Sequence, residues 1–166
     1  HVAPHAWLHA LFPPISDSQV DQIEGEMGAY VPDVFRDFLN LANGFRIFSG
    51  SLSIYGQRSN YERTIDSVWQ PFCIVTPNTI ERLPDAADRH FFIGGCSCDN
   101  GYFLYMDRRD GKVYRCSRKS IEPLHRWNSF PELVVEESSR LARLFDESGR
   151  EIDPNQPKVL RTFFRS

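Results

Sequence analysis

The chain of 166 residues carries a formal charge of −3, with 41% hydrophobic and 25% charged residues, the size and mix of one globular domain spanning 1–166. That balance argues against a general electrostatic grip on nucleic acid or on an anionic membrane. No apolar run approaches the ~20 residues that span a bilayer, and the first residues lack a signal peptide's pattern, so the expectation is a soluble, cytoplasmic protein.

Along the chain, Ser16-Asp17-Ser18-Gln19 forms a capping box ahead of Val20, Ile23 and Met27, which recur at helical spacing until Gly28 supplies a stop; this predicts a helix over 17–27. Pro32 suits the first turn of a second helix, whose apolar face is Phe35, Phe38, Leu39 and Ala42 and which Asn43-Gly44 ends through a left-handed turn. Glu24 borders the core on the first helix. It is expected to tie that helix to the free amides at the start of the second, those of Asp33 and Val34.

The period then shifts from helical toward two, and "FRIFSGSLSIYG" predicts two short strands around Ser49-Gly50. In the less legible stretch 57–90, Ser59-Asn60-Tyr61-Glu62 suggests a short helix, Phe72-Cys73-Ile74-Val75 a buried strand, and Thr76-Pro77 one more helical turn. "HFFIGGCSCDNGYFLYMDRRDGKVYRCS" holds three β-rich runs separated by Asp99-Asn100-Gly101 and Asp110-Gly111, the pattern of an antiparallel meander. Ser129-Phe130-Pro131-Glu132 opens a last helix with the stripe Phe130, Leu133, Val134, Leu141, Leu144 and Phe145, stopped by Ser148-Gly149. The tail segment "KVLRTFF" is open between an edge strand and a loose end.

Groups that would carry chemistry are sparse. There is no phosphate-binding Gly-x-x-x-x-Gly-Lys loop, no His-Glu-x-x-His and no Gly-x-Ser-x-Gly elbow. Cys73, Cys96, Cys98 and Cys116 have neither disulfide-framework nor metal-knuckle spacing and read as reduced thiols. Cys96 or Cys98 with His90 or His125 is the residual nucleophile and base pairing. His1, His5 and His9 repeat every four residues, but Pro4 opposes the regular helix that would align them on a metal, and Asp99, Asp107 and Asp110 sit at or beside turns. No metal and no cofactor are expected.

Charge is uneven. Arg108, Arg109, Lys112, Arg115, Arg118 and Lys119 outweigh Asp107 and Asp110, while Asp21, Glu24, Glu26, Asp33 and Asp37 oppose only Arg36 in the helical pair. Asp33 and Asp37 are the first candidates for a partner surface and Arg108 and Arg109 the second. Trp69, Arg126 and Trp127 are candidate interface anchors, since Trp and Arg dominate binding hot spots, with core packing the alternative for each Trp.

Ile23-Glu24, Met27-Gly28, Val31-Pro32, Phe35, Phe38-Leu39 and Asn43-Gly44, followed by Ile54-Tyr55-Gly56, resemble the SUKH domain, shared by fungal cell-wall-assembly regulators and bacterial toxin-immunity proteins. "FFIGG", "FLYMDRRDGKVYRC" and "SFPEL" follow in that family's order, so the resemblance covers about residues 16–146. It implies an α+β fold, an antiparallel sheet with an N-terminal helical pair and a C-terminal helix packed on it. It makes Glu24, Pro32, Asn43, Gly44, Tyr55 and Gly56 structural motif residues. It also implies no catalytic residues and a function exercised by binding another protein: a cognate bacterial toxin domain such as a nuclease, or else a host protein recruited by a regulatory scaffold. An enzyme using Cys/His groups is the third reading. Neither nucleic acid nor membrane is an expected direct partner.

Overall fold

A computed structural model describes residues 9–62, 69–96, 101–156 and 158. Seven strands follow one another in sequence order and every neighbouring pair is antiparallel: β1 (His9–Leu11), β2 (Phe45–Ile47), β3 (Leu52–Ile54), β4 (His90–Cys96), β5 (Tyr102–Asp107), β6 (Val113–Ser117) and β7 (Pro123–Trp127). Among the described residues four helices accompany them: α1 (Asp17–Met27), α2 (Asp33–Leu39), α3 (Val75–Asn78) and α4 (Phe130–Ala142). The α+β arrangement expected from the sequence is the one observed.

The helices start and stop where local chemistry dictates. The Gln19 side chain accepts from the Ser16 amide at 3.0 Å, and Gly28 at φ +63° turns its N–H back on the Glu24 carbonyl to end α1. Ser129 Oγ accepts from the Glu132 amide at 3.2 Å to open α4, with Pro131 in its first turn where no N–H is needed. Helix α2 is shorter than its apolar stripe suggested. It closes at Leu39, and a tighter turn carries the chain to Gly44, whose φ of +81° bears out the left-handed stop.

One face of the sheet carries the main core. Val20 and Ile23 of α1, Phe35 and Leu39 of α2, and Phe130, Leu133 and Leu141 of α4 are buried against Ile54, Phe91, Ile93 and Leu104 of the strands. The opposite face has a smaller apolar cluster in which Leu83 covers Phe92, Phe103, Tyr105 and Cys116. Strand alternation produces this division: Leu104 and Met106 face the helices, while Phe103 and Tyr105 face away.

Several elements differ from the sequence reading. Phe72–Val75 is not a strand: Cys73 makes a single parallel bridge to Gly56, and Val75 already belongs to α3, as the Thr76-Pro77 signal indicated. The short helix that Ser59-Asn60-Tyr61-Glu62 would cap runs into residues outside the described ones; within them the Asn60 side chain accepts from the Glu62 amide at 2.7 Å. Strands β1 and β7 were not anticipated. Each lies at an edge, where one row of backbone partners suffices and a proline such as Pro123 is tolerated. Helix α4 ends at Ala142, and Phe145 pairs with Glu151 across the turn at Gly149. His1, His5, Cys98, Asp99, Asn100 and nearly all of "KVLRTFF" lie outside the described residues.

A Cβ at residue 44 would sit 2.5 Å from the Ile54 carbonyl oxygen, and the left-handed φ adds strain for any L side chain. Gly44→Ala is therefore expected to lower stability by about 2 kcal/mol or more, read as a reduced urea midpoint at unchanged slope. An unshifted midpoint would contradict this account of the turn.

Candidate functional site

The elbow between α1 and α2 is held by one carboxylate. Glu24 Oε1 accepts from the Val31 amide at 2.8 Å, and Oε2 meets Arg36 Nη2 at 3.0 Å, so the bond lands just ahead of α2 rather than on Asp33 or Val34. Pro32 caps the helix with φ −56°. Arg36 also reaches Asp21 at 2.9 Å and Asp17 at 3.5 Å, and Asn40 Nδ2 donates to Asp17 at 2.9 Å. Arg36 thereby gathers three carboxylates of α1, offsetting one of their charges.

What remains uncommitted is the outward side of α2. Asp33, Val34 and Asp37 lie opposite the buried Phe35 and Leu39, and neither aspartate has a partner among the described residues. Tyr30, Val34 and Leu41 are 81%, 49% and 79% exposed around them. Two carboxylates thus sit among three apolar side chains on a surface fixed by a rigid elbow.

The basic hairpin does not form a matching patch. Arg108 donates through Nη2 to the Tyr30 carbonyl at 2.7 Å and through Nη1 to the Asp88 carbonyl, with its guanidinium 5.1 Å from the Phe91 ring centre. Arg109 and Arg89 both close on Asp107, at 2.9 Å and 3.1 Å. Arg115 is buried beneath α4, near the Glu137 and Arg140 pair. Arg126 is exposed on β7, and Trp69 is 47% exposed. Burial decides between the two readings open for Trp127: at 1% exposure it packs in the core and is no interface anchor.

The motif residues Asn43, Gly44, Tyr55 and Gly56 converge. The Asn43 side chain pairs with the Gln57 backbone like a strand neighbour, accepting from its amide at 2.6 Å and donating to its carbonyl at 2.9 Å. Gly56 lies so close that a Cβ there would strike Asn43. Tyr55 leads from this knot into a cavity of about 420 Å3 on the sheet face away from α2. The cavity was not legible in the sequence. Its floor is Ser53, Gly95 and Phe103, its walls include Tyr55, Tyr61 and Phe72, and Arg58, Arg118, Glu81 and Cys73 reach into it.

Cys73 is polarised: burial raises its pKa, but bonds from Thr76 and from the Tyr61 hydroxyl, the latter at 2.9 Å, outweigh burial and hold it below the usual thiol range. Cys116 is buried and pushed up to about 12. Cys73 and Cys116 are free, whereas Cys96 is disulfide-bonded, so the reading of four reduced thiols is corrected there. His90 and Cys96 stand at opposite ends of β4, about 20 Å apart at strand rise, which separates that nucleophile from that base. Among the described residues no group of three or more His, Cys, Asp or Glu side chains is placed to hold a metal, and no helix is long and apolar enough to cross a membrane.

Glu24→Gln keeps an acceptor for the Val31 amide but loses the charge facing Arg36, and is expected to cost on the order of 1–2 kcal/mol in chemical denaturation. Asp107 supplies a pH-dependent test. Burial favours its neutral form, yet the donors of Arg109 and then Arg89 prevail and pull its pKa down to about 2. The folded value lies below the unfolded one, so its stabilisation is complete above pH ~4 and is lost as pH falls toward ~2. With Arg109 largely exposed the loss should be on the order of 1–2 kcal/mol. Asp107→Asn should flatten the fall in urea midpoint between pH 5 and 2, and equal slopes would count against the assignment.

A sequence model of the SMI1/KNR4 family (SUKH-1) matches residues 14–136. No curated protein matches the chain. The match spans most of the sequence, from the capping box of α1 to the middle of α4, and takes in the elbow, the Asn43-Gly44 knot and the whole meander from β2 onward. The chain belongs to the SMI1/KNR4 (SUKH-1) family.

Proposed function

We propose that this protein is a non-enzymatic binding module, an immunity protein that neutralises a cognate bacterial toxin by stoichiometric occlusion. The observation that carries the reading is the outward face of α2. Asp33 and Asp37 have no structural employment there, and Tyr30, Val34 and Leu41 are exposed beside them on a surface that the Glu24 elbow holds rigid. Exposed apolar side chains rimmed by charge mark interaction surfaces, and Tyr is enriched among binding hot spots. Membership of the SUKH-1 family, to which toxin-immunity proteins belong, supports the same reading.

The charge fits one class of partner. A toxin that cuts nucleic acid needs basic surface around its active site, so an inhibitor covering that site presents carboxylates and gains encounter rate from them. An interface of about 1,600 Å2 centred on α2 would block the site without chemistry of its own. Such a protein acts in the cytoplasm of the cell that makes the toxin. The free thiols of Cys73 and Cys116 fit that location, while the disulfide at Cys96 is a feature it does not explain.

The reading is tested by expressing the reading frame adjacent to this gene under inducible control, with and without this protein. Rescue by the wild type, lost in Asp33→Lys/Asp37→Lys with an unchanged circular dichroism spectrum, is the expected outcome, with a Kd weakened by about 100-fold or more. If the wild type neither rescues nor forms a 1:1 complex with that frame's C-terminal domain, immunity gives way to the second reading. That reading is a regulatory scaffold of the same fold that recruits a host protein.

A further inference from the structure

The cavity behind the sheet has a cause in the strands themselves. Antiparallel register aligns Arg46, Ser53, Gly95, Phe103 and Cys116 in one cross-strand row on the face away from the helices. Large side chains stand at the ends of the cavity floor, but its middle is a serine and a glycine, which leave a concavity among the described residues. Gly95 cannot be larger, since a Cβ there would strike the Tyr102 carbonyl and approach the Tyr55 hydroxyl. The concavity is therefore fixed by backbone packing.

We propose that this cavity binds a small organic anion built on a planar ring, of the size of a nucleoside monophosphate or an aromatic carboxylate. Its volume of about 420 Å3 falls in the range of small-molecule sites. Ser53 is 1% exposed, lines the floor, and its hydroxyl has no hydrogen-bond partner among the described residues. A buried hydroxyl left unpaired is costly, and a ligand acceptor or donor would satisfy it.

Charge and ring chemistry select the class. Among the described residues, Arg58, Arg118 and the carboxylate of Glu81 line the cavity, and the guanidinium of Arg46 lies 5.6 Å from the centre of the Phe72 ring that forms one wall. Arg46 titrates below its ordinary value, through burial first and the Arg58 charge second. Arg118 lies 5.0 Å from the Phe103 ring centre and gives one N–H to the Cys96 carbonyl at 3.2 Å, leaving further donors of its fork for a carboxylate or phosphate. Tyr55, Tyr61, Phe72 and Phe103 offer π faces to a flat ring. The bland alternative is a groove whose cations and rings satisfy one another. It accounts for the stacked arginines but not for the Ser53 hydroxyl or the unfilled floor.

The site is independent of α2, whose Phe35 packs against Phe91 on the other face of the sheet. The test is isothermal calorimetry on the full chain with adenosine monophosphate, indole-3-carboxylate, inorganic phosphate and adenosine. Saturable binding of either ringed anion with a Kd below about 1 mM, at least about tenfold tighter than phosphate or adenosine, supports the proposal, and whichever binds identifies the anionic group. Arg118→Gln should weaken that binding by about tenfold or more. Ser53→Ala should weaken it about threefold to tenfold without lowering the thermal midpoint of the free protein, since it removes an unpaired buried hydroxyl. Asp33→Lys/Asp37→Lys should leave it unchanged. Absence of saturable binding, phosphate binding as tightly as the ringed anions, or wild-type affinity in both cavity variants would each overturn the site.

Discussion

The ring of Phe35 is the point on which the helical layer is hung. It is wholly buried, and its centroid lies 5.4 Å from that of Phe130 in α4, 5.5 Å from Phe38 and 5.9 Å from Phe91 in β4. Edge-on and tilted aromatic packing of this kind restricts rotation as well as distance. A helix of seven residues has little intrinsic stability, so its orientation comes from this contact and from the elbow at Glu24. Once Phe35 and Leu39 point inward, Asp33, Val34 and Asp37 must point outward. The candidate binding surface is thus a consequence of core packing.

The two faces of the sheet solve the burial problem differently. On the helical side, Arg115 and Glu137 are both buried, and Arg140 closes on Glu137 at 2.8 Å through the same fork that reaches the Lys158 carbonyl at 2.7 Å. Burying such charges is expensive unless each is answered, and here α4 and β6 bring opposite signs together in the core. On the far side the irregular stretch after α3 covers the strands through Leu83 and Ala86, while Ile74 and Val75 ahead of it pack into the helical-side core. Asn78 joins this segment to β4 by donating to the Phe92 carbonyl at 2.8 Å and accepting from the Phe92 amide at 2.9 Å. Cover of this kind is supported at points, and between the points it leaves the cavity.

Charge counted along the sequence and charge displayed at the surface diverge for a physical reason. Arginine carries five donors on a long stem, and in this chain the stem is used to reach structure: Arg36 to three carboxylates, Arg108 to two backbone carbonyls, and Arg89 with Arg109 to Asp107. The hairpin that reads as basic therefore spends most of its cations locally. The helical pair that reads as acidic also spends Asp17, Asp21 and Glu24 on Arg36, while Asp33 and Asp37 have no partner among the described residues.

Local rules carried a large part of the fold. The capping box at Ser16, the Ser129 cap, the glycines at 28 and 44, and the β-rich runs around Asp110-Gly111 are short-range signals, and each appears in the structure as the sequence alone determined. The residues carrying the family resemblance, Glu24 and Asn43-Gly44 among them, were legible for the same reason: turn and cap geometry fixes residue type. Edge strands β1 and β7 were not, because three or five residues with one pairing partner need no hydrophobic alternation. Trp127 could be assigned to core or surface only once β7 was seen to pack under α4. The cavity depended on tertiary structure altogether. Ser53 and Gly95 are unremarkable small residues 42 positions apart until antiparallel register sets them side by side, and no local pattern records which residues a register will align.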